Sequence, residues 1–117
     1  MDRFIAIDVE TANFNPSSIC AIGAAKVIDG MVADTRYTLV CPEPEWYSYA
    51  CTRVHGLTKD DTFDSPSFGR VWQEWADWLD GFTLVAHNAP FDSKCIREAC
   101  KIYRLEPPEP FMCTLAA

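Results

Sequence analysis

No run of apolar residues in this chain approaches the roughly 20 that a membrane-spanning helix requires, which makes no membrane partner the expectation. Histidine is scarce. His55 and His87 are the only two, and neither stands at ligand spacing from a cysteine pair, so no Cys/His zinc site is expected. Six cysteines are present, at 20, 41, 51, 95, 100 and 113, but no Cys-x-x-Cys. There is also no basic leader followed by an apolar run and a cleavage site. The expectation is therefore reduced, mostly buried thiols in a cytoplasmic protein rather than a disulfide framework. Cationic residues are the minority, 10 Lys and Arg against 17 Asp and Glu, for a formal charge of -7. That balance excludes broad electrostatic attraction to nucleic acid, which needs a basic patch. It leaves room for carboxylates that hold a cation, whose charge would then draw phosphate locally.

What is there is a chain of 117 residues, 49% apolar and 23% charged, the composition of one folded domain with a core of its own. The most informative stretch is Phe4-Ile5-Ala6-Ile7-Asp8-Val9-Glu10-Thr11. Its short, β-branched apolar run reads as a buried strand that ends at two carboxylates. Strand alternation puts Asp8 and Glu10 on one face. Two adjacent anions there are reconciled by a bound cation, by a proton on one of them, or by the strand simply ending in water. The cation reading calls for oxygen ligands around a hard divalent ion, Mg²⁺ or Mn²⁺.

Further along, Ile19 to Ile28 and Met31 to Cys41 flank Asp29-Gly30, a two-residue hairpin signal. The first three segments thus read as consecutive antiparallel strands, with Tyr37, Leu39 and Cys41 on one face of the third. Trp46 to Val54 holds a short helix, His55-Gly56-Leu57-Thr58 a glycine turn, and Lys59 to Ser65 a polar loop. Ser65 is the expected N-cap of a helix with Pro66 in its first turn. Phe68, Val71, Trp72, Trp75, Trp78 and Leu79 form its apolar stripe, read as core rather than as a base-stacking platform. Gly81 ends it. Phe82 to Ala86 is a second short buried strand, leading into His87-Asn88-Ala89-Pro90-Phe91-Asp92 and a helix to about Leu105. Cys95, Ile96, Ala99, Ile102 and Tyr103 make its inner face. Lys94, Arg97, Lys101 and Arg104 make a basic stripe, read as a solvated surface ahead of a phosphate contact. Asp92 falls in the first turn, where a carboxylate also serves as a simple cap. Phe111-Met112-Cys113 begins one more strand, and Thr114 to Ala117 opens another helix.

Asp8-x-Glu10-Thr11, then His55-Gly56-Leu57-Thr58, then His87-Asn88-x-x-Phe91-Asp92, in that order, resembles the DEDD (DnaQ-like) superfamily of 3′-5′ exonucleases. The branch it is most similar to is that of the proofreading epsilon subunit of bacterial DNA polymerase III. The likeness covers nearly the whole chain. It implies an α/β, RNase H-like fold with a mixed sheet flanked by helices. It implies removal of nucleotides one at a time from a nucleic-acid 3′ end, single-stranded DNA foremost. Asp8, Glu10 and Asp92 would hold two Mg²⁺ or Mn²⁺ ions and carry the catalysis. Thr11, Leu57 and Asn88 would contact substrate, Leu57 as an apolar wedge against the last base. DNA replication or repair proteins are the implied partners.

The family's third motif, a His followed after four residues by Asp, belongs beyond Cys113-Thr114-Leu115, and its His is the general base. The same bare spacing occurs at His55–Asp60 and His87–Asp92, but in the wrong places along the chain. The expectation is a single exonuclease-like domain over residues 1–117, C-terminally truncated and impaired, with an uncovered sheet face that a homodimer would close. The alternative is an inactive remnant of the fold that binds nucleic-acid ends or another protein.

Overall fold

The structure, a computed structural model, describes residues 2–109 and 111–113. Its elements in chain order are β1 (Arg3–Thr11), β2 (Ile19–Ile28), β3 (Met31–Leu39), α1 (Tyr49–His55), α2 (Lys59–Thr62), α3 (Phe68–Leu79), β4 (Thr83–Ala86), α4 (Ala89–Ile102) and β5 (Met112–Cys113). The sheet runs β3-β2-β1-β4-β5. The first three strands pair antiparallel, whereas β4 lies parallel to β1 and β5 parallel to β4. This is the mixed sheet that the resemblance implied. Strand β1 sits at its centre because it is the strand buried most regularly, with Ile5, Ile7 and Val9 on one face.

That face packs against α3 and α4. Ile22 and Ala24 of β2 join Phe68, Val71, Trp72 and Trp75 of α3 and Cys95, Ile96 and Ala99 of α4 in one core. The tryptophan stripe is therefore core. Trp72 and Trp75 are buried, and the half-buried Trp78 donates its indole N–H to Asp34 at 2.9 Å. The opposite face carries Ala6, Asp8, Glu10, Gly23 and Tyr37, and His55 at the end of α1 borders it beside Asp8 and Glu10.

Three local expectations change. Ser67, not Ser65, caps α3, its hydroxyl accepting the Arg70 N–H at 3.2 Å. The start moves because the Pro66 carbonyl accepts the Cys41 N–H at 2.9 Å and Cys41 bridges Ser67, which holds Ser67 in extended backbone. The polar stretch after Leu57 winds into α2, closed by the Asp61 carboxylate accepting the Thr58 N–H at 2.8 Å. Helix α4 stops at Ile102, three residues early, where Arg104 turns to φ 55 and the Leu105 N–H returns to the Cys100 carbonyl. Its buried stripe includes Cys100, and Ile102 faces water. The basic stripe of α4 is exposed, with Lys101 paired to Glu98. The segment from Thr114 to Ala117 lies outside the described residues.

Three of the cysteines, Cys20, Cys95 and Cys100, are buried free thiols, as expected, and burial pushes Cys95 up to about 12. One glycine of α3 is there for contact rather than for its backbone. A Cβ on Gly69 would meet Tyr103 Cγ at 2.7 Å and Cδ1 at 2.8 Å. Gly69→Ala should therefore lose more by overpacking, about 1–3 kcal/mol, than the roughly 1 kcal/mol it gains in helix propensity. A lower denaturation midpoint in urea is the expected result, and a raised one would contradict this packing.

Candidate active site

Strand β1 runs out of partners on one side before it ends. Its parallel pairing with β4 covers only Phe4 to Ala6, so the Val9 N–H beyond that point has no strand to meet. Asp92 meets it instead. From the first turn of α4 its Oδ1 accepts the Val9 N–H at 3.2 Å, a buried bond spanning 83 positions of sequence. This single contact ties the second acidic motif to the first, between Asp8 and Glu10.

The three carboxylates feel one another. Burial pushes Asp92 up to about 6, and the charges of Asp8 and Glu10 add to the rise. Burial also raises Glu10, with Asp8 as the next cause. The ion pairs found among the described residues, Lys59–Glu45, Arg70–Glu74 and Lys101–Glu98, involve none of the three. A cluster of oxygen donors without an organic counter-ion, one of them buried, matches the chemistry of a hard divalent cation. The oxygens stand somewhat apart, since among the described residues no three acidic, His or Cys side chains form a ready ligand set.

Beside them is a cleft of about 280 Å³, lined by Asp8, Glu10, Leu57 and His55 together with Gly23 and Tyr37. A wider depression of about 620 Å³ shares Asp8 with it and extends past Ala6 and Ala25 to His87. A third groove, of about 600 Å³ between α3, β4 and residues 106–109, contains none of the site residues.

Leu57 is held firmly in the small cleft. Its N–H donates to His55 Nδ1 at 3.0 Å and its carbonyl accepts the Thr52 hydroxyl at 2.9 Å. Gly56, at φ 80, supplies the left-handed turn between helix α1 and Leu57. Because Nδ1 accepts from Leu57, the His55 ring carries its hydrogen on Nε2, which donates to the Thr11 carbonyl at 2.9 Å. Both nitrogens are engaged in bracing the site, which removes His55 as a general base in this arrangement.

Asp8, Glu10, Leu57 and Asp92 are thus brought together. Thr11 is half-buried just beyond a bulge in β1 and offers its carbonyl to His55. Asn88 occupies the N-cap position of α4, exposed and without a side-chain cap bond; neither it nor Thr11 lines the cleft. Sequence reasoning does not reach Tyr37 and Gly23 as site residues. The alternation that puts Tyr37 and Leu39 on one face is the available signal, but nothing local says that this face is the acidic one.

Comparison with known proteins identifies the family and the fold. The exonuclease family model RNase T matches residues 5–117. The chain is 33% identical over 116 residues to the PolC-type DNA polymerase III of Thermotoga petrophila, covering 97% of this chain and 8% of that protein. It is 30% identical over 97 residues to the DNA polymerase III subunit epsilon of Pasteurella multocida, covering 77% of this chain and 38% of that one. The chain therefore spans well under half the length of either relative. In fold it resembles the nuclease domain of 3′hExo, a DEDDh family member solved with bound rAMP. The TM-score is 0.77 at 22% identity, over 93% of this chain and 63% of that one.

Proposed function

The chain belongs to the RNase T exonuclease family, and from that premise we propose that it removes nucleotides one at a time from nucleic-acid 3′ ends, single-stranded DNA foremost. The observation that carries this reading is the Asp92–Val9 bond, which stations a buried carboxylate beside Asp8 and Glu10. These three residues would hold two Mg²⁺ or Mn²⁺ ions. Bound there, such ions supply charge neutralisation at phosphorus and a more acidic water for attack on the phosphodiester.

The chain's own residues do the rest. Burial and the neighbouring carboxylates push Asp92 up to about 6 and raise Glu10 as well; a cation bound there would oppose both shifts and favour the ionised carboxylates. Leu57, fixed at both its N–H and its carbonyl, presents an apolar edge against which the last base can rest. The His55–Thr11 bond keeps that edge aligned with the end of β1.

Replication or repair proteins are the partners we propose, in keeping with the polymerase names of the relatives. The second reading, end-binding without hydrolysis, draws on one observation: the donor oxygens are not preassembled as a ligand set.

Release of mononucleotides from a single-stranded 3′ end, with Mg²⁺ or Mn²⁺, tests the proposal. Asp8→Ala should slow release at least about tenfold, the loss expected when a ligand worth more than ~1.4 kcal/mol to the transition state is removed. Equal rates for the two proteins would remove Asp8 from the mechanism. End-binding without any release would favour the second reading.

A further inference from the structure

Tyr37 is an aromatic ring left 68% exposed on the edge strand β3. It belongs to no core cluster, yet it is not loosely placed. In the register of the sheet, Asp8 pairs with Gly23 and Gly23 pairs with Tyr37, so the three form one row across β1, β2 and β3. The middle position has no side chain. A Cβ there would lie 3.4 Å from Tyr37 Cδ1, so the ring lies against the bare backbone of Gly23. An aromatic side chain set against a cross-strand glycine has restricted freedom, and this one is thereby a wall of the cleft that holds Asp8, Glu10 and Leu57.

The cleft, about 280 Å³, is near the lower end of small-ligand sites, which run roughly 300–1,000 Å³. No Lys or Arg lines it among the described residues. In a chain of charge -7, affinity for a polyanion cannot come from the cleft's side-chain charge. It has to come from bound cations and from contacts that ignore charge. Base–aromatic stacking is such a contact, worth roughly 1–3 kcal/mol per base and nearly indifferent to which base it is.

We infer that Tyr37 stacks on the base of the 3′-terminal nucleotide, with Leu57 as the second apolar wall, and so positions the terminal phosphodiester over Asp8 and Glu10. This rests on the exonuclease reading and adds to it a positioning residue on β3. Tyr37 takes no part in bond breaking. Its effect lies in binding, and it tolerates any of the four bases.

The test uses an oligonucleotide with 2-aminopurine at its 3′ terminus, bound by the full chain in Ca²⁺, and the same oligonucleotide ending in an abasic nucleotide. Tyr37→Ala should weaken binding of the 2-aminopurine end about tenfold or more and remove its fluorescence quenching. Tyr37→Phe should bind as the unaltered chain does. The abasic end should bind equally to all three. In Mg²⁺, Tyr37→Ala should raise KM and leave kcat within about twofold, in keeping with lost uniform binding. Equal binding of the 2-aminopurine end by Tyr37→Ala and the unaltered chain overturns the inference while leaving the exonuclease reading intact. So does a loss in Tyr37→Ala that persists with the abasic end. An unaltered chain that neither binds ends nor releases nucleotides overturns both.

Discussion

Asp92→Asn is expected to abolish metal-dependent nucleotide release and, in the same protein, to stabilise the metal-free fold at neutral pH. The first effect follows from its place. Asp92 is the carboxylate that α4 contributes to a site otherwise built on β1. An amide in its place keeps an acceptor for the Val9 N–H but has no charge for a cation. A metal ion's contribution to phosphoryl chemistry is several kcal/mol, so losing one ligand should cost about 10²-fold or more in rate. Mononucleotide release at saturating Mg²⁺ is the measurement, and a rate within a few-fold of the unaltered chain would take Asp92 out of the site.

The second effect has the opposite sign. Burial, first, and the charges of Asp8 and Glu10 raise the Asp92 carboxyl from 3.8 in the unfolded chain to about 6 in the fold. Between those values the folded state holds a proton that the unfolded state has released. Stability therefore falls as pH rises through that window, and the loss is complete above about 6. At about 1.4 kcal/mol for each pH unit that separates the two values, the loss reaches up to about 3 kcal/mol. Asn, which does not titrate, avoids it. Urea denaturation in a chelator should show the difference between Asp92→Asn and the unaltered chain growing from pH 4 to pH 7. A pH-independent difference would mean that the fold does not raise the Asp92 carboxyl. Other groups add their own slopes, Glu10 in the same direction and Asp34 in the opposite one, so the difference between the two proteins is the informative quantity. Added Mg²⁺ should shrink it, because cation binding stabilises only the carboxylate form.

Phe68→Ala should be among the most damaging single changes to the core. Phe68 is 2% exposed at the start of α3 and stacks on Trp72, ring centroids 5.4 Å apart. Emptying that position removes an aromatic contact and leaves a cavity between helix and sheet, at a cost of about 3–5 kcal/mol. Domains of this size are stable by only about 5–15 kcal/mol, so the melting temperature should drop by more than about 10 °C. Phe68→Leu, which refills most of the volume, should recover much of it. A drop of only a degree or two for the alanine variant would mean that α3 is not seated on the sheet through this ring.

Much of this site was legible along the chain because its parts obey local rules. Alternation in β1 put Asp8 and Glu10 on one face. The Asn88-Ala89-Pro90 start put Asp92 in a first turn, and the Asp29-Gly30 signal joined β2 to β3. What the local rules missed is instructive in the same terms. Counted back from the Asp29-Gly30 turn, an unbroken ladder would place Arg36 beside Gly23. A register shift between Lys26 and Val27 places Tyr37 there instead. One extra residue in a strand changes which side chain reaches the partner row, and no composition signal marked it. The α3 cap moved from Ser65 to Ser67 for a related reason: a distant backbone donor, Cys41, took the Pro66 carbonyl. His55 sits in a motif at base-like spacing, yet its two ring nitrogens are committed to Leu57 and Thr11, 44 positions away.

The order of amino acids alone determined most of the strands and the two long helices, which of their faces are apolar, and which short stretches end in carboxylates. Those properties follow from periodicities of two and 3.6 residues that act between near neighbours. Only the tertiary structure decided that β1 lies between β2 and β4, that a free Val9 amide receives Asp92, and that Gly23 brings Tyr37 beside Asp8. Each of these is a pairing between distant positions, chosen by the burial of the whole core and by the need of every buried backbone donor for a partner.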